Sequence, residues 1–205
     1  VALPLVGLGA RGNRLNFIAR KTFKAATETL VVFTPYFNFP KALAADLRKA
    51  LKRGVKVTIV VGDKKANDFY VADPEKFSTI GIVPYIYEML LRGFVKRNQA
   101  YIDKGLLNIQ LWSDGNNSYH LKGIVADDKY HLVTGSNLNP RAWSLDLENG
   151  ILVCDGKQKL KQQWHKELEL ILAHTQRVNS INDIEPVSEY PEKPRELLRK
   201  IKLTQ

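Results

Sequence analysis

The stretch Tyr119-His-Leu-Lys-Gly-Ile-Val-Ala-Asp127 decides how the rest of this chain is read. Asp127-Asp128 is a two-residue turn signal between the runs 119–126 and 129–134, so the segment predicts a β-hairpin. Side chains two apart in a strand share a face, which sets His120 beside Lys122. An imidazole can attack phosphorus or pass a proton, and a neighbouring ammonium neutralises phosphoryl oxygens as charge builds on them. The H-x-K-x4-D pattern therefore points to phosphoryl transfer without a metal. Residues 134–136 (Thr-Gly-Ser) close the second strand, and Asn137 then supplies an amide able to hold a phosphoryl oxygen. Glu148, on the next apolar run (145–154), can accept a hydrogen bond from one ring nitrogen of His120 and fix its tautomer. Asp127 lies in the turn itself, where bracing the hairpin is a stronger expectation than touching a substrate.

Working outward, residues 13–26 predict a helix with Leu15, Ile18, Ala19 and Phe23 on one stripe. A strand at 30–34 is stopped by Pro35, a helix runs from Pro40 through Lys52 to a stop at Gly54, and 55–61 is a continuous apolar strand. Together they make a β-α-β unit, expected to be parallel with a right-handed crossover. The loop 62–70 leaves the C-terminal end of that strand, where open α/β sheets bind ligands. Its Lys64, Lys65, Asn67 and Asp68 can hold a nucleotide or a head group, and a solvated loop accounts for them equally well. Residues 82–102 predict a helix, 107–112 a strand, 115–118 a polar turn, and 157–176 an amphipathic helix. The Pro-broken, charged stretch 181–205 ends in a short basic helix at 195–202, where Arg195, Arg199, Lys200 and Lys202 flank Leu197, Leu198, Ile201 and Leu203, a mix that suits either an anionic bilayer or packing against the domain. The fold class expected is α/β, a mixed β-sheet flanked by helices on both faces. A unit at 1–178 carries the motif, and a basic tail follows at 179–205.

Length and composition bound the partners. At 205 residues, 44% hydrophobic and 25% charged, the chain suits one folded domain. A net charge of +10 points to an anionic partner: a phospholipid surface, a nucleotide or a nucleic acid. The lone Cys154 excludes a disulfide within the chain and fits a reducing compartment. No run approaches the roughly 18 apolar residues that span a bilayer. His131, His165 and His174 lack ligand spacing with other His or Cys, so no metal site is expected.

The motif resembles that of the phospholipase D superfamily, H-x-K-x4-D-x6-G-S-x-N with a carboxylate further on. His120, Lys122, Asp127 and Asn137 stand at that spacing, and Glu148 falls where the orienting acid belongs. Thr134 and Gly135 occupy the Gly-Ser positions, so the serine's phosphate contact passes to Ser136 or to a backbone N–H. The blocks 5–9 (LVGLG), 34–40 (TPYFNFP), 61–70 (VGDKKANDFY), 134–152 (TGSNLNPRAWSLDLENGIL) and 166–171 (KELELI) are similar to the C-terminal half of bacterial phosphatidylserine synthases of the phospholipase D type.

That resemblance implies a phospholipase D-like half-domain that needs no cofactor. It implies transfer of a phosphatidyl group from CDP-diacylglycerol to L-serine, giving phosphatidylserine and CMP through a phosphatidyl-histidine. It assigns catalytic roles to His120, Lys122, Asp127, Asn137 and Glu148, and substrate contacts to Lys64, Asn67, Asp68, Ser136, Asn139 and Arg141. For Arg141, pairing with Asp146 is an equal expectation. A second such half is implied, either preceding Val1 or supplied by a second copy about a two-fold axis. So is peripheral attachment to an anionic membrane, on the cytoplasmic side of the inner membrane, with nucleic acid not expected as a partner. Other superfamily enzymes (a cardiolipin synthase, a phospholipase, a homodimeric nuclease) and a non-catalytic basic module binding membrane or nucleic acid stay open.

Overall fold

The structure, a computed structural model, describes residues 1–203, the side chains at 74 and 201–203 excepted. The expectations placed on Lys202, Ile201 and Leu203 side chains therefore lie outside the described residues. In order, the elements are β1 (Ala2–Leu8), α1 (Arg14–Ala25), β2 (Thr29–Thr34), α2 (Lys41–Lys52), β3 (Lys56–Gly62) and α3 (Val83–Asp103). They continue with β4 (Leu107–Trp112), β5 (Gly123–Ala126), β6 (Tyr130–Thr134), α4 (Pro140–Ser144), β7 (Leu147–Cys154), α5 (Lys161–Leu172), β8 (Thr175–Val178) and α6 (Glu192–Leu203). The described residues form one eight-stranded sheet, ordered β1-β7-β6-β5-β2-β3-β4-β8. β2, β3 and β4 run parallel, and the remaining neighbours pair antiparallel, so the sheet is mixed and the fold α/β as expected.

Period-two alternation divides the sheet's faces. Leu30 and Val32 of β2, Val57, Ile59 and Val61 of β3, and Leu107 and Ile109 of β4 point into one core, with Leu15, Ala19 and Phe23 of α1, Leu43 and Leu47 of α2, and Leu91 and Val95 of α3. Val31, Phe33, Val60 and Val125 point the other way, under Trp164, Leu168 and Ile171 of α5. Helix α1 starts where its cap dictates, because the Asn13 side chain accepts from the Asn16 N–H at 2.8 Å.

Three elements differ from the sequence reading. The motif strand begins at Gly123, not 119, because its partner β2 reaches only Phe33 opposite Gly123 before Thr34 and Pro35 end it. His120 and Lys122 thus precede the ladder, on a segment pinned by the Tyr119 N–H to the Ala66 carbonyl at 2.9 Å. The final amphipathic helix stops at Leu172, since residues 175–178 pair with the free edge of β4 as β8. Ala2–Leu8, not read as a strand, forms the opposite edge as β1, where Pro4 is tolerated. The Asp127-Asp128 turn is as expected: φ is 54° and 56°, the double left-handed conformation of a type I′ hairpin. Beyond β8, Tyr190 and Leu198 are buried against Ile82 and Tyr85, so 179–203 packs on α3 and the turn before it.

Candidate active site

The chain's polarity leaves Asp127 at one end of the sheet and gathers His120, Lys122, Asn137 and Glu148 at the other. β2 and β3 finish there at Thr34 and Gly62, β5 starts at Gly123, β6 finishes at Thr134 and β7 starts at Leu147. This is the C-terminal end of the parallel strands, where helix-flanked sheets leave a crevice. His120 opens to solvent, with its side chain 56% exposed. The Lys122 ammonium lies 2.6 Å from its Nδ1 and donates to the His120 carbonyl at 3.0 Å. The sequence expectation that these two side chains stand together holds, although the segment is not laddered. Burial lowers the Lys122 pKa, against the opposing pull of Glu148 and Asp68. The ammonium thus sits partly desolvated, where its charge acts strongly on an incoming anion.

The carboxylate in ion-pair range of the imidazole is Asp68, whose Oδ2 lies 3.6 Å from Nε2. The Tyr36 hydroxyl donates to the same oxygen at 2.9 Å. Tyr36 stands edge-on to His120 with ring centroids 6.2 Å apart, and it stacks on Tyr87 at 5.2 Å. Burial alone would raise the Asp68 pKa, but hydrogen bonds from Ser118 and Tyr36 and the nearby His120 and Lys122 carry it down. Tyr36 is shifted upward by burial and by this carboxylate. Sequence reasoning assigned no role to Tyr36, Tyr87 or Ser118. The one available signal was the placement of Tyr36 just past the Pro35 strand stop.

Glu148 stands beside Lys122 and Asp146 instead of on the imidazole. Burial first, then Asp146, raises its pKa, and Lys122 opposes the rise. Gly135 makes room for it: a Cβ there would lie 3.1 Å from Glu148 Oε2. Asn137 accepts at its backbone carbonyl from Thr34 Oγ1 at 2.8 Å, and its side-chain Oδ1 is buried without a partner. An unpaired amide end at the tip of β6 is a group that a ligand can satisfy.

The other expected site residues are placed differently. Asp127 is a brace: it accepts from the Thr27 N–H and Oγ1, the Glu28 N–H and the Thr29 N–H, all at 2.8–2.9 Å. Ser136 is buried and accepts from the Leu138 N–H at 3.3 Å, shaping the loop. Asn139 caps α4 through the Ala142 N–H at 2.9 Å. Arg141 pairs with Asp146 at 3.3 Å in solvent. Asn67 is buried, and its side chain accepts from the Phe69 N–H at 3.0 Å. Lys64 turns inward, pairing with Glu88 at 3.1 Å and with Glu185, beneath the rings of Tyr85 and Tyr190. Among the described residues, no three His, Cys, Asp or Glu converge as a metal-binding group.

The family model described as "Cardiolipin synthase, PLD-like domain" matches residues 19–172. The chain is 47% identical over 199 residues to a CDP-diacylglycerol–serine O-phosphatidyltransferase of Escherichia coli, covering 97% of this chain and 44% of that protein. It is 46% identical over 197 residues to the enzyme of the same name from Haemophilus influenzae, covering 96% and 43% respectively. A crystal structure of phosphatidylserine synthase from Haemophilus influenzae superposes with a TM-score of 0.96 at 45% identity, over 99% of this chain and 45% of that one. The chain thus spans less than half the length of the curated relatives it matches. The family model covers well over half of the sequence, so this chain belongs to the phospholipase D-like domain family.

Proposed function

We propose that this chain is one catalytic half of a phosphatidyltransferase that moves the phosphatidyl group of CDP-diacylglycerol to L-serine, releasing CMP and forming phosphatidylserine. The observation that carries the reading is the solvent-open His120 ring with the Lys122 ammonium 2.6 Å away at the sheet end. The names of the two relatives supply the donor and the acceptor.

The reaction has two displacements. One histidine forms an N–P bond to the phosphatidyl phosphorus as the P–O bond to CMP breaks, and the histidine of the opposite half protonates the departing oxygen. That second histidine then takes the proton of the serine hydroxyl, whose oxygen forms the new P–O bond as the N–P bond breaks. His120 takes one of these two parts. Lys122 and the side-chain N–H of the Asn137 amide hold the non-bridging oxygens. Glu148 steadies Lys122, and Asp127 keeps the hairpin fixed beneath them.

The second half has a natural seat. α5 covers only part of its face of the sheet, and beyond it Val133, Ile151, Leu147, Val6 and Leu8 project from β6, β7 and β1 at 49–68% exposure. Registers Val133↔Ile151 and Leu8↔Leu147 make this one continuous apolar strip. A strip of that kind is normally covered by another protein surface. This chain carries a net charge of +10, which suits an assembled enzyme working in the cytoplasm, on the anionic surface of the inner membrane where its donor lies. Among the described residues no helix is long and apolar enough to cross a membrane.

The test is His120→Ala in the complete enzyme, assayed for phosphatidylserine from CDP-diacylglycerol and serine. The expected result is loss of product with an unchanged melting temperature. Near-normal turnover would remove His120 from the chemistry.

A further inference from the structure

Asp68 is out of place in a site built for phosphate. The His120 and Lys122 side chains beside it suit an anionic phosphoryl group, and a carboxylate next to them repels one. Yet Asp68 is firmly installed. Tyr36 donates to it at 2.9 Å, Ser118 also bonds to it, and Tyr36 is itself held by stacking on Tyr87. The backbone on either side is stitched down, by the Tyr70 N–H to the Asn67 carbonyl and the Tyr119 N–H to the Ala66 carbonyl, both at 2.9 Å. The side chain stays 40% exposed, with one oxygen facing the ring of His120 at 3.6 Å. Such a group serves a cation that arrives with the reaction.

Resting on the proposed reaction, we infer that Asp68 determines acceptor specificity by binding the ammonium of an amino-alcohol acceptor. In serine the hydroxyl and the ammonium sit on adjacent carbons, roughly 3 Å apart. That span matches the 3.6 Å between the imidazole nitrogen and the carboxylate oxygen. With His120 as the base of the second displacement, an ammonium on Asp68 brings the hydroxyl to the imidazole edge, which takes its proton as the oxygen bonds to phosphorus. The loop that carries Asp68 lies outside the H-x-K-x4-D motif, so chemistry and acceptor choice reside on separate segments.

The experiment uses the complete enzyme in mixed micelles with CDP-diacylglycerol and two measurements. Single-turnover CMP release without acceptor reports the first displacement. Steady-state phosphatidyl transfer to serine or to 3-hydroxypropionate, which keeps hydroxyl and carboxylate but lacks the amine, reports the second. In wild type, serine is preferred by at least tenfold. In Asp68→Asn, KM for serine rises at least tenfold and the preference for serine collapses, a larger change than any slowing of CMP release. Tyr36→Phe, which removes only the supporting hydroxyl, gives a smaller shift in the same direction. Equal losses in CMP release and transfer, with KM for serine and the preference unchanged, would overturn the assignment and make Asp68 a positioning residue for His120. Absence of phosphatidylserine from wild type would instead overturn the proposed reaction.

Discussion

Two lysines on neighbouring loops meet opposite fates. Lys122 stands at the mouth of the site against the His120 ring, with Glu148 and Asp68 near it and, among the described residues, no carboxylate bonded to its ammonium. Lys64, just past the end of β3, is buried to 6% exposure and already bonded to Glu88 and Glu185. Burial alone would lower the Lys64 pKa, yet its two carboxylates carry it above the ordinary value. A cation near a strand end is available to a ligand only if the fold has not already neutralised it. Lys64 instead ties the 179–203 segment to the body, along with Arg92, which donates to the Ile181 and Ile184 carbonyls. One lysine is placed for chemistry and the other for architecture.

That contrast can be broken at either side. Lys122→Ala in the complete enzyme should lower turnover about 10²–10³-fold, as loss of one charge-stabilising donor does. Its stability should change by no more than about 0.5 kcal/mol, typical of a partly exposed site. Turnover reduced by less than tenfold would refute the role given to Lys122.

Lys64→Met should do the reverse. It leaves Glu88 buried beside Glu185 without a counter-charge, which costs about 3 kcal/mol in denaturant unfolding. Burial already raises the Glu88 pKa above 4.5, partly offset by Tyr190 and Lys64. A carboxylate with a raised folded pKa contributes most when protonated, and that contribution is lost as pH rises through the folded value. The Lys64→Met deficit should therefore be widest near neutral pH and narrow on acidification. A deficit independent of pH would contradict this.

Asp127→Asn sharpens the comparison with a carboxylate of opposite sign. Burial would raise its pKa, but the Thr29, Glu28 and Thr27 N–H groups and the Thr27 hydroxyl carry it below 3.8. Stability from such a group is present above the unfolded value and lost as pH falls through the folded one. The variant should lose about 2 kcal/mol at pH 7, with the loss fading in acid titrations only below the ordinary aspartate range. The smallest effect belongs to Arg141→Ala, an exposed pair with Asp146 whose removal should change stability by less than about 1 kcal/mol.

Much of this was legible before any coordinates. Asn13, Pro40 and Gly54 mark helix boundaries through capping and backbone geometry, and β4 falls at 107–112 because its apolar run has no competing period. The His120–Lys122 pair was legible because both residues lie within one short local segment. What escaped was long-range or short and polar. β8 is four residues with exposed Gln176 and Arg177, and β1 contains Pro4, so neither carries a strong strand signal. The carboxylate at His120 comes from position 68 and the hydroxyl that holds it from position 36. Glu185 reaches Lys64 from 121 residues away. Local spacing encodes none of these pairings, so the sequence placed Lys64 with the ligand and gave Glu148 the contact that Asp68 makes.

The most direct test is single-turnover CMP release from CDP-diacylglycerol by the complete enzyme, comparing Lys122→Ala with Lys64→Met at a temperature where both are folded. The account predicts at least a hundredfold slowing for Lys122→Ala and less than tenfold for Lys64→Met. Equal slowing in the two variants would contradict it.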